Sequence, residues 1–599
     1  MPTNQEIARI LSEIGEYLDM AGVAFKPRAY EKVAETISSL QEEVNDIYKR
    51  GGLKALTEIP GVGTSIADHI EELIKTGRLK YYEQLKKKTP VDLFTLTQVE
   101  GLGPKKIKRL YKELGIRNLG DLEKAAKAGK IGKLEGFGEK SAENILKGIE
   151  FVKKSGGRFI LGYVMPDIRI IEERLRKLKG VDRLEICGSI RRRKETVADI
   201  DILAISDKPK PVMDFFVNIP EVVRVYAHGP TKSMVRLKIG GMPASAKASA
   251  GIDADLRVVP PESYGAALNY FTGSRDHNVA LRKIAIQKGW KLSEYGLFSI
   301  AEKRGNSRGI TRKETRIAGR TEEELYKKLG MDYIEPEMRE MTGELEASKA
   351  HKLPKLIGYG DLKGDLQTQT NWTDGSATIE EMAVAAQKAG LEYIVITDHT
   401  KRLAMTHGLD ARRLAQQIKE IDKLNERFRI HDTRFKILKG TECDILRDGS
   451  LDLPDEILRQ LDVVGVSVHS LFNLSEEEQT KRIIKAMKNP HADILFHPTG
   501  RLIQKREPYD VDMEEIIRTA KETGTILEIN AYPDRLDLKD EYIRKCVNAG
   551  VKMSIDSDAH SPAHFAVLEF GIAQARRGWA TKTDIINTRP VEQMLKLLK

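Results

Sequence analysis

Thiols are scarce in this sequence. Cys187, Cys443 and Cys546 are its three cysteines, widely spaced and odd in number. That argues against a disulfide-stapled scaffold and predicts a reducing, cytoplasmic setting. Also missing is any run of about 18 apolar residues, so no membrane-spanning helix and no membrane partner are expected. The opening MPTNQEIARILSEIGEYL is acidic and amphipathic. It lacks the basic and apolar regions of a secretory leader. What remains is an ordinary soluble composition, 40% hydrophobic and 31% charged, in 599 residues. That length predicts several modules rather than one.

Net charge is +10, but its placement says more. Residues 1–50 carry 6 Lys/Arg against 9 Asp/Glu, and residues 51–160 carry 22 against 14. A local basic surplus points to a polyanionic partner; the plainer alternative is a solvated Lys/Glu surface. Helical spacing runs through 1–90, with stretches 4–20 and 29–50 expected as helices, and continues through 91–157. Short β-type runs mixed with helices then fill 158–260 and 261–335, an α+β pattern. A linker is expected over 336–357. From 358 to 599, strands alternate with helices, which implies a barrel or parallel sheet. The small-residue stretch 240–251 reads as an exposed loop insertion.

Three turns recur in the basic region: Ile59-Pro-Gly61-Val-Gly63, Val99-Glu-Gly101-Leu-Gly103 and Leu134-Glu-Gly136-Phe-Gly138. Each opens a helical stretch, and Lys105, Lys106, Lys108 and Arg109 follow the second. Paired glycines permit a tight turn, and the amides at a helix start favour an anion such as a DNA phosphate. One copy would be a plain helix connection. Three resemble helix-hairpin-helix motifs, which grip DNA backbones without reading sequence.

A denser signal is Gly188-Ser189-Ile-Arg-Arg192 followed by Ala198-Asp199-Ile-Asp201-Ile-Leu. On a strand, Asp199 and Asp201 point the same way. Two adjacent buried carboxylates need cations, and oxygen ligands suit Mg²⁺ or Mn²⁺. Gly188 and Ser189 can cradle phosphate, and Arg192 can pair with it. The whole resembles the nucleotidyltransferase signature. Asp253-Ala-Asp255-Leu-Arg-Val-Val offers a third carboxylate, and Asp255 fits the family pattern. With Asn269-Tyr270-Phe271-Thr-Gly273-Ser, Asn278 and Arg282, residues 1 to about 335 resemble family X DNA polymerases such as DNA polymerase beta.

That resemblance implies a helical N-terminal domain, a second helical DNA-binding domain, a palm (158–260) and a thumb (261–335). It implies that Asp199, Asp201 and Asp255 bind the metals and that Asp255 takes the proton of the primer 3′-hydroxyl. Tyr270 and Phe271 would flank the nucleotide sugar, Asn278 would contact the new base pair, and Arg282 the template. One departure stands out. Lyase-proficient members carry a Schiff-base lysine in the first hairpin, where this chain has His69. Imidazole forms no stable imine, so removal of deoxyribose phosphate by that route is not expected. Lys26, with Tyr30 nearby, could still hold a 5′-phosphate.

The last 240 or so residues place His, Asp and Glu at the ends of successive β-type runs. These are Asp374, His399, Glu442, His469, His497, Asp558 and His560, a mixture that suits Mn²⁺, Zn²⁺ or Fe. The region 358–599 resembles the PHP (polymerase and histidinol phosphatase) domain, a distorted (β/α)7 barrel that hydrolyses phosphoesters. Seven of its nine usual ligand positions stand. The opening His-x-His is Gln367-Thr-Gln369 here, and an amide oxygen is a weak metal ligand. The pair should weaken one metal site, leaving two alternatives: a 3′–5′ exonuclease with fewer metals, or an inactive structural module.

The expected fold class is therefore multidomain α+β and α/β. The expected activity is dNTP-dependent filling of short gaps in primer-template DNA during base-excision-type repair, by a monomer associated with the nucleoid. A different, template-free nucleotidyltransferase is the competing enzyme class, and a DNA-binding scaffold the non-enzymatic one.

Overall fold

A computed structural model describes the chain except residues 1, 3, 39, 41, 98, 100, 101, 135, 136, 155, 156, 240–250, 305–309, 403–405 and 431–434. Gly101, Gly136 and nearly all of the predicted loop insertion lie outside the described residues. The chain divides into two compact units. The first comprises residues 1–156, 357–575 and 582–599; the second comprises 157–356 and 576–581.

In the first unit, the amphipathic spacing of the N-terminal third yields short helices around one apolar core that includes Ile7, Leu11, Ile14, Ile70 and Leu73. The stretch 29–50, expected as one helix, is two: Lys26–Ser38 and Val44–Thr57. Asn4 explains the break. Its side chain donates to the Glu42 carbonyl and accepts from the Val44 amide at 2.7 Å, so these backbone groups cap a new helix rather than extend the old one.

The three predicted turns share one closing hydrogen bond. Val62 N donates to Ile59 O, Leu102 N to Val99 O and Phe137 N to Leu134 O, at 3.0, 3.0 and 2.9 Å. The buried Val62, Leu102 and Phe137 anchor the turns, while Gly63, Gly103 and Gly138 face outward just before the helices Thr64–Thr76, Pro104–Leu114 and Glu139–Lys154.

The same unit holds seven parallel strands in chain order, from Gly364–Thr368 to Met553–Asp556. Their side chains are almost all buried, as expected for strands enclosed on both faces. Gln369 N donates to Ala559 O at 2.8 Å, and Leu366 N to Asp556 Oδ1 at 2.9 Å. These bonds join the first strand and the residue after it to the last strand and the segment beyond it, so the sheet is a nearly closed barrel.

The second unit contains a five-stranded sheet ordered 183–186, 199–205, 252–258, 232–237 and 222–228. It also contains an antiparallel three-stranded sheet over 290–318. The stretch 336–357, read as a linker, is largely structured. It forms the helices Pro336–Met338 and Glu344–Lys349, and buries Met338 and Leu345 with Leu281, Leu325 and Tyr326. Its apolar residues complete that core, a role its polar surroundings concealed.

Candidate active sites

In the five-stranded sheet, Asp199–Ile205 runs parallel to Ile252–Val258, with Asp199 opposite Asp253 and Asp201 opposite Asp255. Alternation places all four carboxylates on one face. Asp253 is engaged by Arg236 Nη1 at 2.9 Å, whereas Asp255 has only a looser pair, with Lys232 Nζ at 3.8 Å, among the described residues. Burial, reinforced by Asp199 and Asp255, pushes the Asp201 carboxyl up to about 7. Burial also raises Asp255. A carboxylate set short of positive charge fits a divalent cation.

Gly188 closes over this set with φ +63°, and a Cβ there would stand 2.3 Å from Asp201 Oδ2. Only glycine fits. Ser189 Oγ is buried without a hydrogen-bond partner among the described residues. Gly188, Ser189, Arg192, Asp199 and Asp201 share a cleft of about 440 Å³ with Tyr270, Phe271, Gly273, Asn278 and Arg282. Asp255 does not line it but stands beside Asp201 on the neighbouring strand. Tyr270 and Phe271 meet edge-on at 5.1 Å, and Asn278 Nδ2 donates to the Tyr270 carbonyl at 2.7 Å. Arg192 is held by Glu340 at 2.9 Å and by the Thr272 carbonyl.

Because the Asp201 carboxyl is raised, its contribution to stability in the ion-free protein is present below about pH 4. It is lost as pH rises through about 7. Mg²⁺ should therefore raise the melting temperature more at pH 8 than at pH 5, measured by calorimetry. Equal shifts would contradict a shared cation site.

In the barrel, all seven predicted ligands lie after or near strand carboxyl ends. Ligand atoms of Asp374, His399 and His560 come within 4.8 Å of one another, as do those of His399, Glu442 and His469. His497 Nε2 lies 2.9 Å from Glu442 Oε1. Among the described residues, Asp374 Oδ1, His399 Nδ1 and His497 Nδ1 are buried without hydrogen-bond partners, with Glu442 Oε2 at 3.4 Å from His399 Nδ1, as ligand atoms of a metal site would be. His497 and Asp558 hold positive φ angles of 30° and 53°, strain that functional sites tolerate. Burial alone would raise the Glu442 carboxyl, but His399 and His469 outweigh it and hold it well below the usual range.

Two positions do not fit a metal. Gln367 Nε2 and Gln369 Nε2 both donate to Glu442 Oε2, at 3.1 and 2.9 Å. Amide protons thus occupy the side of Glu442 where an imidazole pair would share a cation. Asn530 Nδ2 joins the network, donating to Gln367 Oε1 and Asp558 Oδ2 at 3.2 Å each.

In the helical region, Tyr30 is buried with its hydroxyl 2.9 Å from His69 Nδ1, and His69 stacks on Tyr81 at 5.0 Å. Burial lowers the His69 pKa, so this imidazole is neutral near pH 7. Lys26 is exposed at the start of its helix, and Lys105 Nζ lies 3.6 Å from Asp19.

Four protein-family models match parts of the chain. Residues 2–79 match a helix-hairpin-helix domain, and 94–150 a SAM-like helix-hairpin-helix tandem. Residues 267–340 match the DNA polymerase beta thumb and 365–532 the PHP domain. Over 596 residues, 99% of each chain, the sequence is 37% identical to the DNA polymerase/3'-5' exonuclease PolX of Bacillus subtilis (strain 168). The chain belongs to the family X DNA polymerases that carry a C-terminal PHP domain. Over 226 residues, 35% of this chain, it is 31% identical to a probable phosphatase of Thermoanaerobacter sp. (strain X514), 84% of which is covered. A probable phosphatase of Acetivibrio thermocellus is 32% identical over 192 residues, 31% of this chain and 73% of that one.

Sequence reasoning passed over several residues of this PHP-bearing polymerase. Asp444 Oδ1 lies 3.3 Å from His469 Nδ1, and its position two after Glu442 on one strand was the available signal. Arg535 Nε lies 3.3 Å from Asp558 Oδ2. Glu340, which holds Arg192, comes from the stretch read as a linker.

Proposed function

We propose that the protein fills short gaps in DNA during base-excision-type repair, adding dNTPs to a primer 3′-end. The proposal extends to a barrel that trims DNA 3′-ends with a reduced metal complement. The observation that carries the first part is the register of Asp201 against Asp255 beneath Gly188, in a sheet whose cleft also takes in Tyr270 to Gly273. Mg²⁺ or Mn²⁺ held by Asp199, Asp201 and Asp255 would activate the attacking hydroxyl and neutralise charge on the leaving group. Asp255 accepts the hydroxyl proton, Ser189 donates to a phosphate oxygen, and Tyr270 and Phe271 border the sugar. The hairpin glycines 61, 63, 101, 103, 136 and 138, with Lys105 and Arg282, hold the DNA; Lys26 holds the 5′-phosphate. Neutral His69 makes no Schiff base, so no lyase step is assigned to it. The protein acts as a monomer on nucleoid DNA, and light scattering at the mass of one chain would agree.

In the barrel, Asp374, His399 and His560, and His399, Glu442 and His469 with His497 and Asp558, would hold Mn²⁺, Zn²⁺ or Fe, which supply a water nucleophile at neutral pH. The Gln367 and Gln369 bonds to Glu442 favour a second reading, an inactive structural barrel. A dual assay on one labelled gapped DNA with Mn²⁺ separates the two. Extension with dNTPs should survive His469→Ala. Shortening without dNTPs should be present in the wild type and lost in His469→Ala. No shortening with any metal would establish the second reading.

Metal content gives a further check. After dialysis against Mn²⁺, mass spectrometry should find fewer than three ions per barrel, and Gln367→His/Gln369→His should gain one. Three tightly held ions in the wild type would refute the amide substitution.

A further inference from the structure

The barrel cluster opens into a cleft of about 370 Å³ whose walls come from two modules of the first unit. Asp374, Asp558, His560 and Arg535 line the barrel side, and Arg28 and Lys32 line the side built by the helix Lys26–Ser38. Positions 28 and 32 lie one turn apart on one helix face. Lys32 Nζ donates to the carbonyl of Gly375, next to Asp374, at 3.2 Å. Burial and the neighbouring Glu13 and Glu31 raise the Glu16 carboxyl to about 7, and Lys505 of the barrel opposes them, so the two modules also meet electrostatically there. Among the described residues, Arg28 has no carboxylate within ion-pair distance, although Glu31 and Asp534 also line the cleft. The volume falls within the range of about 300–1,000 Å³ common for ligand pockets. Cations placed opposite a metal-ligating cluster suit a phosphodiester, whose oxygens Arg can grip in a bidentate way.

We propose that the N-terminal helical module completes the barrel's pocket, with Arg28 and Lys32 binding the backbone phosphate next to the terminal nucleotide of a single-stranded DNA 3′-end. This rests on the reading of the barrel as a 3′-end phosphoesterase. The helix then serves two phosphates from opposite sides. Residues 26 and 30 are each two positions from 28, about 200° around a helix, so Lys26 and Tyr30 face away from the cleft.

The test uses the full chain and an oligonucleotide ending in photoreactive 4-thiothymidine, with cross-linked peptides mapped by mass spectrometry. Cross-links should fall on both the 26–38 helix and the barrel segments 532–535 and 558–564. Arg28→Glu/Lys32→Glu should reduce them about a hundredfold, the loss expected when two charge-assisted contacts worth roughly 1.4 kcal/mol each are removed. Hydrolysis of bis(p-nitrophenyl) phosphate, too small to need the helix, should be unchanged in that variant. Barrel cross-links that persist undiminished in the double variant, or that occur without any on the helix, overturn the proposal. Absence of barrel cross-links in the wild type overturns the barrel reading as well. Should the charge reversal unfold the module, shown by loss of cooperative melting, Arg28→Gln/Lys32→Gln carries the same comparison.

Discussion

Asp255→Asn should lower nucleotide incorporation on gapped DNA by about 10³-fold, while leaving DNA binding near the wild-type level. Metal-assisted charge stabilisation contributes several kcal/mol to such a transfer, and each 1.36 kcal/mol is tenfold in rate. Asp255 lies in register with Asp201, and burial raises both carboxyls, so removing one charge weakens the shared cation site. The helices Thr64–Thr76, Pro104–Leu114 and Glu139–Lys154 that follow the hairpin turns belong to the other unit, so the substitution leaves them unchanged. Asp253→Asn is the control: its partner is Arg236 at 2.9 Å, and its effect should stay within a few-fold. Single-turnover incorporation with Mg²⁺ measures both. A loss under tenfold for Asp255→Asn, or a larger one for Asp253→Asn, would reverse the assignment.

Glu322→Ala should destabilise the second unit by about 3–5 kcal/mol, the usual result of stripping one partner from a buried ion pair. Its carboxylate is buried between Arg339 Nη1, at 2.5 Å, and Arg191 Nη2, at 2.7 Å, and also accepts from Tyr333 at 3.3 Å. Burial opposes ionisation of Glu322, but the two guanidiniums outweigh it and bring its pKa down to about 2. Because that pKa is depressed, the contribution is complete above about pH 4.5 and fades as pH falls towards 2. Arg339 is fully buried, so the substitution leaves a charge without a counterion. Polymerisation should suffer too, since Arg191 also donates to Thr272 Oγ1 at 2.6 Å, beside Gly273 of the nucleotide cleft. Urea unfolding followed through Trp290 and Trp579, both in that unit, reads the stability. An unchanged midpoint would show that the triad is not holding the unit together.

Much of this was legible along the chain because the chemistry is local. Three copies of an apolar-x-Gly-x-Gly pattern announce a repeated turn, and the same amide-to-carbonyl bond closes each. Asp199 and Asp201 share a face by strand alternation alone. Imidazoles and carboxylates at successive strand ends predict convergence, and the parallel order of seven strands provides it.

Other features depend on partners distant in sequence. The helix break near residue 40 is imposed by Asn4, and the packing of 336–356 by a core already waiting for Met338 and Leu345. No local pattern shows that the Gln367 and Gln369 amides turn onto Glu442, or that Arg28 and Lys32 face the cleft that holds Asp374 and Asp558. The sequence by itself determined the succession of helical, mixed and alternating strand–helix regions and offered the residue types able to bind metal and phosphate, since those follow from periodicity, spacing and side-chain chemistry. Only the tertiary structure decided which carboxylate pairs with which cation, because burial and electrostatic balance are properties of neighbours brought together by folding.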